Sequence, residues 1–298
     1  MNDAQARRRV ALVTVTYNSA PVLTDFLASL DRQTSGDWTL VAIDNASGDA
    51  TRAMLADWDG PLHLIANPDN PGFAAASNQG IAWARENGFD AVLLLNNDTV
   101  FEADFLARVL DFQTRSGALI VAPAVTYADE PGRFWFADGG FTRLRGGFQA
   151  WMGETPRSGE SWTSDFAPAC ALLVDMQVFD RVGVFDERFF VYWEDADFCL
   201  RCRAHGVTVT ILAAPTIAHK VSALTGGSSP FSTQMYHRNQ ILLLHKHFGA
   251  ARTWLEAPAI VAKILARRVL RRDEAETTRL RLRTVWTSLP SLRKVEGI

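Results

Sequence analysis

Two kinds of hydrophobic spacing take turns along the first half of the chain. Short β-branched or leucine-rich runs occupy positions 10–16, 40–43, 62–65, 91–95 and 119–122, and stretches with helical spacing fill 21–33, 50–58, 74–87 and 102–116. The runs are apolar at successive positions rather than at alternate ones, so both faces of each strand are expected to be covered. Regular βαβα order with such strands predicts an α/β fold, a mostly parallel central sheet with helices on both faces.

In sheets of this kind ligands collect beyond the carboxyl ends of the strands. The residues due there are Thr16-Tyr17-Asn18-Ser19 after the first run, Asp44-Asn45-Ala46-Ser47-Gly48-Asp49 after the second and Asn96-Asn97-Asp98-Thr99 after the fourth. Each polar end is either a turn or cap, which Asn, Asp and Ser favour, or one part of a shared site. Three at one edge favour the site. Asn67-Pro68-Asp69-Asn70-Pro71-Gly72-Phe73 forms a stiff turn into a helix that starts with small residues, Ala74-Ala75-Ala76-Ser77-Asn78, where a phosphate can approach backbone amides. No G-x-G-x-x-G follows the first run, so a dinucleotide fingerprint is absent.

Positions 123–165, rich in Gly, Trp, Phe and Arg with weak periodicity, predict an irregular insertion over the site. Trp135, Trp151 and Trp162 are candidates either for stacking on sugar faces or for core burial. A strand at 169–174 and a helix lead to Phe189-Phe190-Val191-Tyr192-Trp193-Glu194-Asp195-Ala196-Asp197-Phe198-Cys199, in which three carboxylates sit among rings. Lost hydration raises the pKa of such a group and suits it to general-base work. The same residues would also serve as cap and charge for the helix predicted at 195–205. A strand follows at 207–212. His219 lies beyond it, either structural or a ligand to a metal held by Asp98.

The chain of 298 residues is 48% hydrophobic and 21% charged, long enough for one large core or two modest ones. Its three cysteines, Cys170, Cys199 and Cys202, suggest thiols kept reduced in a cytosol, and the Cys199-x-x-Cys202 pair lacks the context of a zinc or redox site. No apolar run reaches 18 residues, so no transmembrane helix is expected, and Arg7-Arg8-Arg9 with the first apolar run reads as a first strand rather than a secretory signal. The net charge of −3 is uneven: residues 251–298 hold 11 Lys and Arg against 5 Asp and Glu, leaving 19 against 28 before them. A basic tail behind an acidic body suggests an anionic partner there, or a solvated helix face. Lys263, Arg267 and Arg271 fall on one helical stripe, whereas Arg268 and Arg272 fall nearer Ile260, Val261 and Leu265.

Val15-Thr16-Tyr17-Asn18, Ile43-Asp44-Asn45-Ala46-Ser47, Gly72-Phe73 with Asn78-Gln79-Gly80, Leu95-Asn96-Asn97-Asp98, Phe185-Asp186-Glu187-Arg188-Phe189-Phe190 with Trp193-Glu194-Asp195-Ala196-Asp197, and His219 resemble, in order and spacing, the family 2 inverting glycosyltransferases of GT-A fold. The resemblance spans about residues 8–247 and is nearest to bacterial rhamnosyltransferase-like members that build cell-surface polysaccharides. It implies a GT-A domain over residues 1–248, with a nucleotide-binding half at about 8–122 and an acceptor and catalytic half at about 123–248. A basic helical extension follows at 249–298.

The resemblance also implies roles. Asp195 takes the general-base position, with Glu194 beside it. Thr16, Tyr17, Asn18, Asp44, Asn45, Gly72, Phe73, Asn78, Asn96, Asn97 and Asp98 line the donor, and Arg238, after a mobile loop at 222–230, either clamps the diphosphate or is an ordinary helix-start arginine. Asp98 and His219 hold a divalent cation, Mn²⁺ or Mg²⁺, although Asn96 replaces the first carboxylate of the family's D-x-D signature. The implied partners are a nucleotide-diphosphate sugar, dTDP-rhamnose first and a UDP-hexose second, and a glycan or lipid-linked glycan acceptor, with peripheral membrane contact through the basic segment and no nucleic acid. A cytoplasmic enzyme at the inner membrane face is expected. The rivals are a sugar-nucleotide pyrophosphorylase, whose basic Gly-rich loop is missing, and a catalytically silent nucleotide-sugar-binding subunit.

Overall fold

The computed structural model describes residues 8–34, 37–144, 147–220 and 229–291. The alternating half folds as β1 (Val10–Thr16), α1 (Ala20–Asp31), β2 (Trp38–Asn45), α2 (Thr51–Ala56), β3 (Leu62–Asn67), α3 (Phe73–Glu86), β4 (Ala91–Leu95), the short β5 (Thr99–Val100) and α4 (Phe105–Ser116). Strands β1 to β4 are parallel in the order β3-β2-β1-β4. All five residues of β4 are buried, as a strand covered on both faces requires. Helix α3 lies close on this sheet because Gly80 has no side chain: a Cβ there would come within 2.6 Å of Val13 and 2.9 Å of Ile43.

The second half continues the sheet with β6 (Ile120–Tyr127), β7 (Phe134–Phe136), β8 (Asp138–Leu144), β9 (Gly147–Gly153), β10 (Ser161–Ser164) and β11 (Ala171–Asp175). Then come α5 (Met176–Val182), a 3-10 turn (Glu187–Phe189), α6 (Glu194–Ala204) and β12 (Val209–His219). The full order is β3-β2-β1-β4-β11-β6-β12-β10, with β11 antiparallel between β4 and β6, and β12 parallel to β6. The stretch at 123–165 is therefore more regular than its spacing predicts: β6 extends through it, β7 pairs with β6, and β8 and β9 form their own antiparallel sheet. Short edge strands carry too few residues to display a period.

Two helices close the chain, α7 (Pro230–Val269) and α8 (Ala275–Ser291). Helix α7 is interrupted at Gly249, whose φ of 79° and ψ of 170° leave helical space. Beyond the break Ala257, Ile260 and Ile264, with Val285 and Leu289 of α8, belong to the same hydrophobic cluster as the sheet. Among the described residues, no helix is long and apolar enough to cross a membrane. The loop expected at 222–230 lies outside the described residues up to 228.

Candidate active site

The carboxyl ends of β1, β2 and β3 form a hydrogen-bonded polar edge. Asp44, fully buried, accepts from Thr16 Oγ1 at 3.0 Å and from the Ser47 N–H at 3.0 Å, and pairs with Arg52. Burial pushes its pKa up, but Ser47, Arg52 and Thr16 outweigh this and hold it below the ordinary value. Asn18, at a φ of 50°, accepts from the Gly48 N–H, and its own N–H donates to Ser47. Asn45 donates to Asn70 and accepts from Asn67. Tyr17 is half exposed at the rim. The edge is thus held in shape by its own Asx and Ser residues, with Thr16, Tyr17, Asn18, Asp44 and Asn45 together as the sequence predicts.

Gly72 opens α3 at a φ of 93°, and a Cβ there would lie 2.5 Å from the Phe190 ring and 2.7 Å from its carbonyl oxygen. The first turn of α3, with Phe73, therefore touches the 190–193 segment directly, and the Ala74 N–H donates to the Phe190 carbonyl.

Three residues expected at the donor are engaged elsewhere. Asn78 Nδ2 donates to the Phe185 carbonyl and to Glu187, while its Oδ1 accepts from the Phe185 N–H. Asn97 Nδ2 donates to the Val15 carbonyl at 2.7 Å and so ties β4 to β1. Arg238 is exposed and donates to the Arg188 carbonyl and to Asn239. The carbonyls of Phe185, Val15 and Arg188 are partners that only the tertiary fold brings near.

Past β4, Asn96 is half-buried, its N–H donates to the Cys170 carbonyl, and its own carbonyl accepts from Thr99 Oγ1. Asp98 and His219 meet across the β5–β12 pairing, with Asp98 Oδ1 3.1 Å from His219 Nε2 and both side chains buried. Trp135 packs edge-on against the imidazole, centroids 4.7 Å apart. Asp98 Oδ1 and His219 Nδ1 have no hydrogen-bond partner. Two ligand atoms about 2.1 Å from one octahedral ion stand close to 3 Å apart, so this pair fits a small divalent cation. Among the described residues there is no cluster of three or more His, Cys, Asp or Glu that could hold a metal.

The acidic segment is built under strain. Phe190, Tyr192 and Trp193 have φ of 56°, 70° and 73°, values that cost side-chain-bearing residues about 1 kcal/mol or more each. Asn239, fully buried on α7, holds them by donating to the carbonyls of Phe189, Val191 and Tyr192. Sequence reasoning left Asn239 without a role. Its one signal was an amide inside the apolar helical run that continues Ile241-Leu242-Leu243-Leu244.

With Trp193 left-handed at its N-cap, α6 begins at Glu194 and presents Asp195 in its first turn. Burial raises the Asp195 pKa to about 6, even though it accepts from the backbone N–H groups of Ala196 and Ala169. Glu194 is buried, Oε2 lacks a partner, and burial followed by the Asp195 charge pushes its pKa well up. Both carboxyls of this pair are thus raised, Glu194 by burial and then by the Asp195 charge, and Asp195 by burial. Asp197, by contrast, is a structural ion: Arg201, Lys246 and His247 all reach it.

Cys170 at the head of β11 connects the two carboxylate sites. Burial raises its pKa, and the charges of Asp98 and Asp195 raise it further, so both lie near the one thiol. Cys199 and Cys202 are buried free thiols inside α6, with burial pushing Cys202 to about 12. Of the three tryptophans, Trp162 is buried in the core, Trp135 faces His219, and Trp151 is exposed.

Residues 11–183 match the family model described as glycosyl transferase family 2. The chain is 26% identical to the dTDP-rhamnosyl transferase RfbF of Shigella flexneri over 79% of each chain. It is 28% identical to the N-acetylglucosaminyl-diphospho-decaprenol L-rhamnosyltransferase of Mycobacterium tuberculosis, over 90% of this chain and 96% of the relative. In fold it is similar to the mannosyltransferase PcManGT of Pyrobaculum calidifontis, solved with GDP-Man and Mn²⁺. The TM-score is 0.58 at 14% identity, covering 97% of this chain and 87% of that one.

Proposed function

The chain belongs to glycosyl transferase family 2, and from that premise we propose that it moves rhamnose, with inversion, from dTDP-rhamnose to a hydroxyl of a lipid-linked glycan. It is a glycosyltransferase with a GT-A fold. The observation that carries the finer reading is Asp195, a carboxyl with its pKa raised to about 6 that accepts from the Ala169 N–H, next to Cys170, whose carbonyl accepts from the Asn96 N–H two residues before Asp98. A base tuned near the working pH takes a proton most effectively from a weakly acidic hydroxyl.

The roles follow from position. Thr16, Tyr17, Asn18, Asp44 and Asn45 form the nucleoside edge, and the Gly72-Phe73 start of α3 adjoins it through the bond from Asn45 to the Gly72 carbonyl. Asp98 and His219 would hold the divalent cation, which would supply positive charge against the departing diphosphate. Asp195 accepts the proton of the acceptor hydroxyl as that oxygen attacks the anomeric carbon from the face opposite the diphosphate, and a single displacement inverts the centre. The dTDP-rhamnosyl and diphospho-decaprenol relatives support this donor and acceptor class.

Exposed Trp254, Leu255, Leu265, Val269, Leu270 and Trp286, beside Arg268, Arg271 and Arg272, favour peripheral contact of α7 and α8 with an anionic inner membrane face. The test is incubation with Mn²⁺, a prenyl-diphosphate-linked N-acetylglucosamine and, separately, dTDP-rhamnose, UDP-hexoses and GDP-mannose. The expected product is rhamnosylated, with anomeric configuration opposite to the donor by NMR. Transfer from a UDP-hexose alone would overturn the rhamnose reading, and retention would overturn the role of Asp195.

A further inference from the structure

Beside the acidic segment lies a cleft of about 430 Å³, walled by Tyr192 and Trp193 on one side and by α7 and α8 on the other. We infer that this cleft seats the diphosphate group of the acceptor, with Arg267, Arg281 and Lys263 as its anion ligands. The inference rests on the reading of Asp195 as the base that meets the acceptor, and it adds a binding site made by the C-terminal helices.

Charge is the first ground. Lys263, Arg267 and Arg281 all line the cleft. Asp273 balances only part of this: it accepts from Arg267 Nε at 2.9 Å and Nη2 at 3.1 Å, and lies 3.4 Å from Arg281 Nε. Glu256 pairs with Arg252. His237 has no negative charge to offer; its Nε2 lies 3.4 Å from Arg281 Nη1, and burial together with Arg281 lowers its pKa to about 4. Arg281, whose side chain is only 13% exposed, is therefore held beside another cation with a single shared carboxylate. Holding like charges close and half-desolvated is unfavourable unless an anion completes the set, and arginine pairs in fork geometry suit phosphate oxygens.

Shape is the second ground. Ile260 and Ile264 give the cleft an apolar wall, and the Trp193 and Tyr236 rings, 5.2 Å apart, give it aromatic faces. Its volume is within the range of small-ligand sites. A sugar diphosphate joined to a hydrocarbon needs this mixture of cationic, aromatic and apolar surface.

Place is the third ground. Tyr236 is raised first by burial, and its environment includes the charges of Arg281, Arg267 and Asp195. Cys170 feels Asp98 and Asp195. Trp193, two residues before Asp195, lines the cleft, and Asp195 accepts from the Ala169 N–H next to Cys170, whose carbonyl accepts from the Asn96 N–H, as expected if donor diphosphate and acceptor diphosphate occupy separate seats and the anomeric carbon meets the acceptor hydroxyl oxygen at the base.

The test separates these seats without needing transfer. Geranyl diphosphate is titrated into the full chain by calorimetry and Trp fluorescence, with UDP and dTDP plus Mn²⁺ as the donor-side probes. Arg281→Gln and Arg267→Gln are expected to weaken geranyl diphosphate by about 10-fold or more each. Lys263→Gln, at an exposed position, should weaken it about threefold. Nucleotide affinity should stay within about twofold, and Arg281→Lys should retain most of the diphosphate binding. Unchanged geranyl diphosphate affinity in Arg281→Gln and Lys263→Gln would overturn the inference, as would competition between UDP and geranyl diphosphate with both weakened alike. If the arginine dependence is present but no sugar nucleotide binds, the cleft assignment stands and the transferase reading of the donor edge falls.

Discussion

Asp195→Asn should make the protein more stable and less active at once. Asparagine keeps the shape of the side chain and removes its charge. The Asp195 pKa stands at about 6 against an ordinary value of 3.8, so the fold prefers the neutral carboxyl. With a raised acid pKa, the favourable contribution is fully present below about pH 4 and is lost as pH rises through about 6. A shift of about two units corresponds to roughly 3 kcal/mol of strain on the ionised form at pH 7.5. Because Asp195 is only half-buried, solvent screening reduces the expected gain to about 1–2 kcal/mol. Relief of the neighbouring charge on Glu194 acts in the same direction. At pH 7.5 the variant should melt higher by roughly 2–6 °C, and the gap should close as pH falls toward 4. In the same preparation kcat should fall by about 10²–10⁴. Paired thermal melts across pH 4–8, with initial rates on the same samples, provide the measurement. Melting temperatures that coincide at every pH, or turnover within about 10-fold of wild type, would refute the reasoning.

Three further outcomes are expected. Asp98→Ala should abolish the Mn²⁺-dependent part of donor binding, since Asn96 and Asn97 are neutral; equal calorimetric affinity with Mn²⁺, with EDTA and in the variant would exclude the Asp98–His219 cation site. Asn239→Ala leaves three backbone carbonyls without their donor and should cost about 1–3 kcal/mol in urea unfolding, with a larger fall in kcat than in nucleotide affinity; normal turnover would show that the 189–193 segment holds its shape without it. Liposome cosedimentation at low salt should be lost when Arg268, Arg271 and Arg272 become Gln and on raising ionic strength, at about 1 kcal/mol per residue; binding that persists in the triple variant would assign the contact elsewhere.

Much of the nucleotide-binding half is legible in the sequence because buried parallel strands write their environment into consecutive residues, as Ala91-Val92-Leu93-Leu94-Leu95 does, and because strand ends then locate Thr16, Asp44 and Asp98. Polar side chains with distant partners are not legible in this way. Asn78, Asn97 and Arg238 donate to the carbonyls of Phe185, Val15 and Arg188, which arrive from elsewhere in the fold. The basic residues of 263–272 illustrate the same limit: one stripe in sequence divides in space, with Lys263 and Arg267 turned to the cleft and Arg268, Arg271 and Arg272 exposed. Arg281 joins the cleft from a separate helix, and no local spacing announces it.

The break at Gly249 has a consequence for protein engineering. A Cβ at this residue would meet nothing within 4 Å, and its non-helical backbone divides α7 into two helical pieces. Upstream, Asn239 belongs to the machinery that shapes the segment around the base; downstream, Lys263, Arg267 and Arg281 belong to the cleft wall. Gly249 is therefore a natural suture. Chimeras that exchange residues 249–298 between relatives should trade acceptor preference while the donor stays that of the parent, whereas a junction upstream of Asn239 would separate the clamp from the segment it holds and forfeit both.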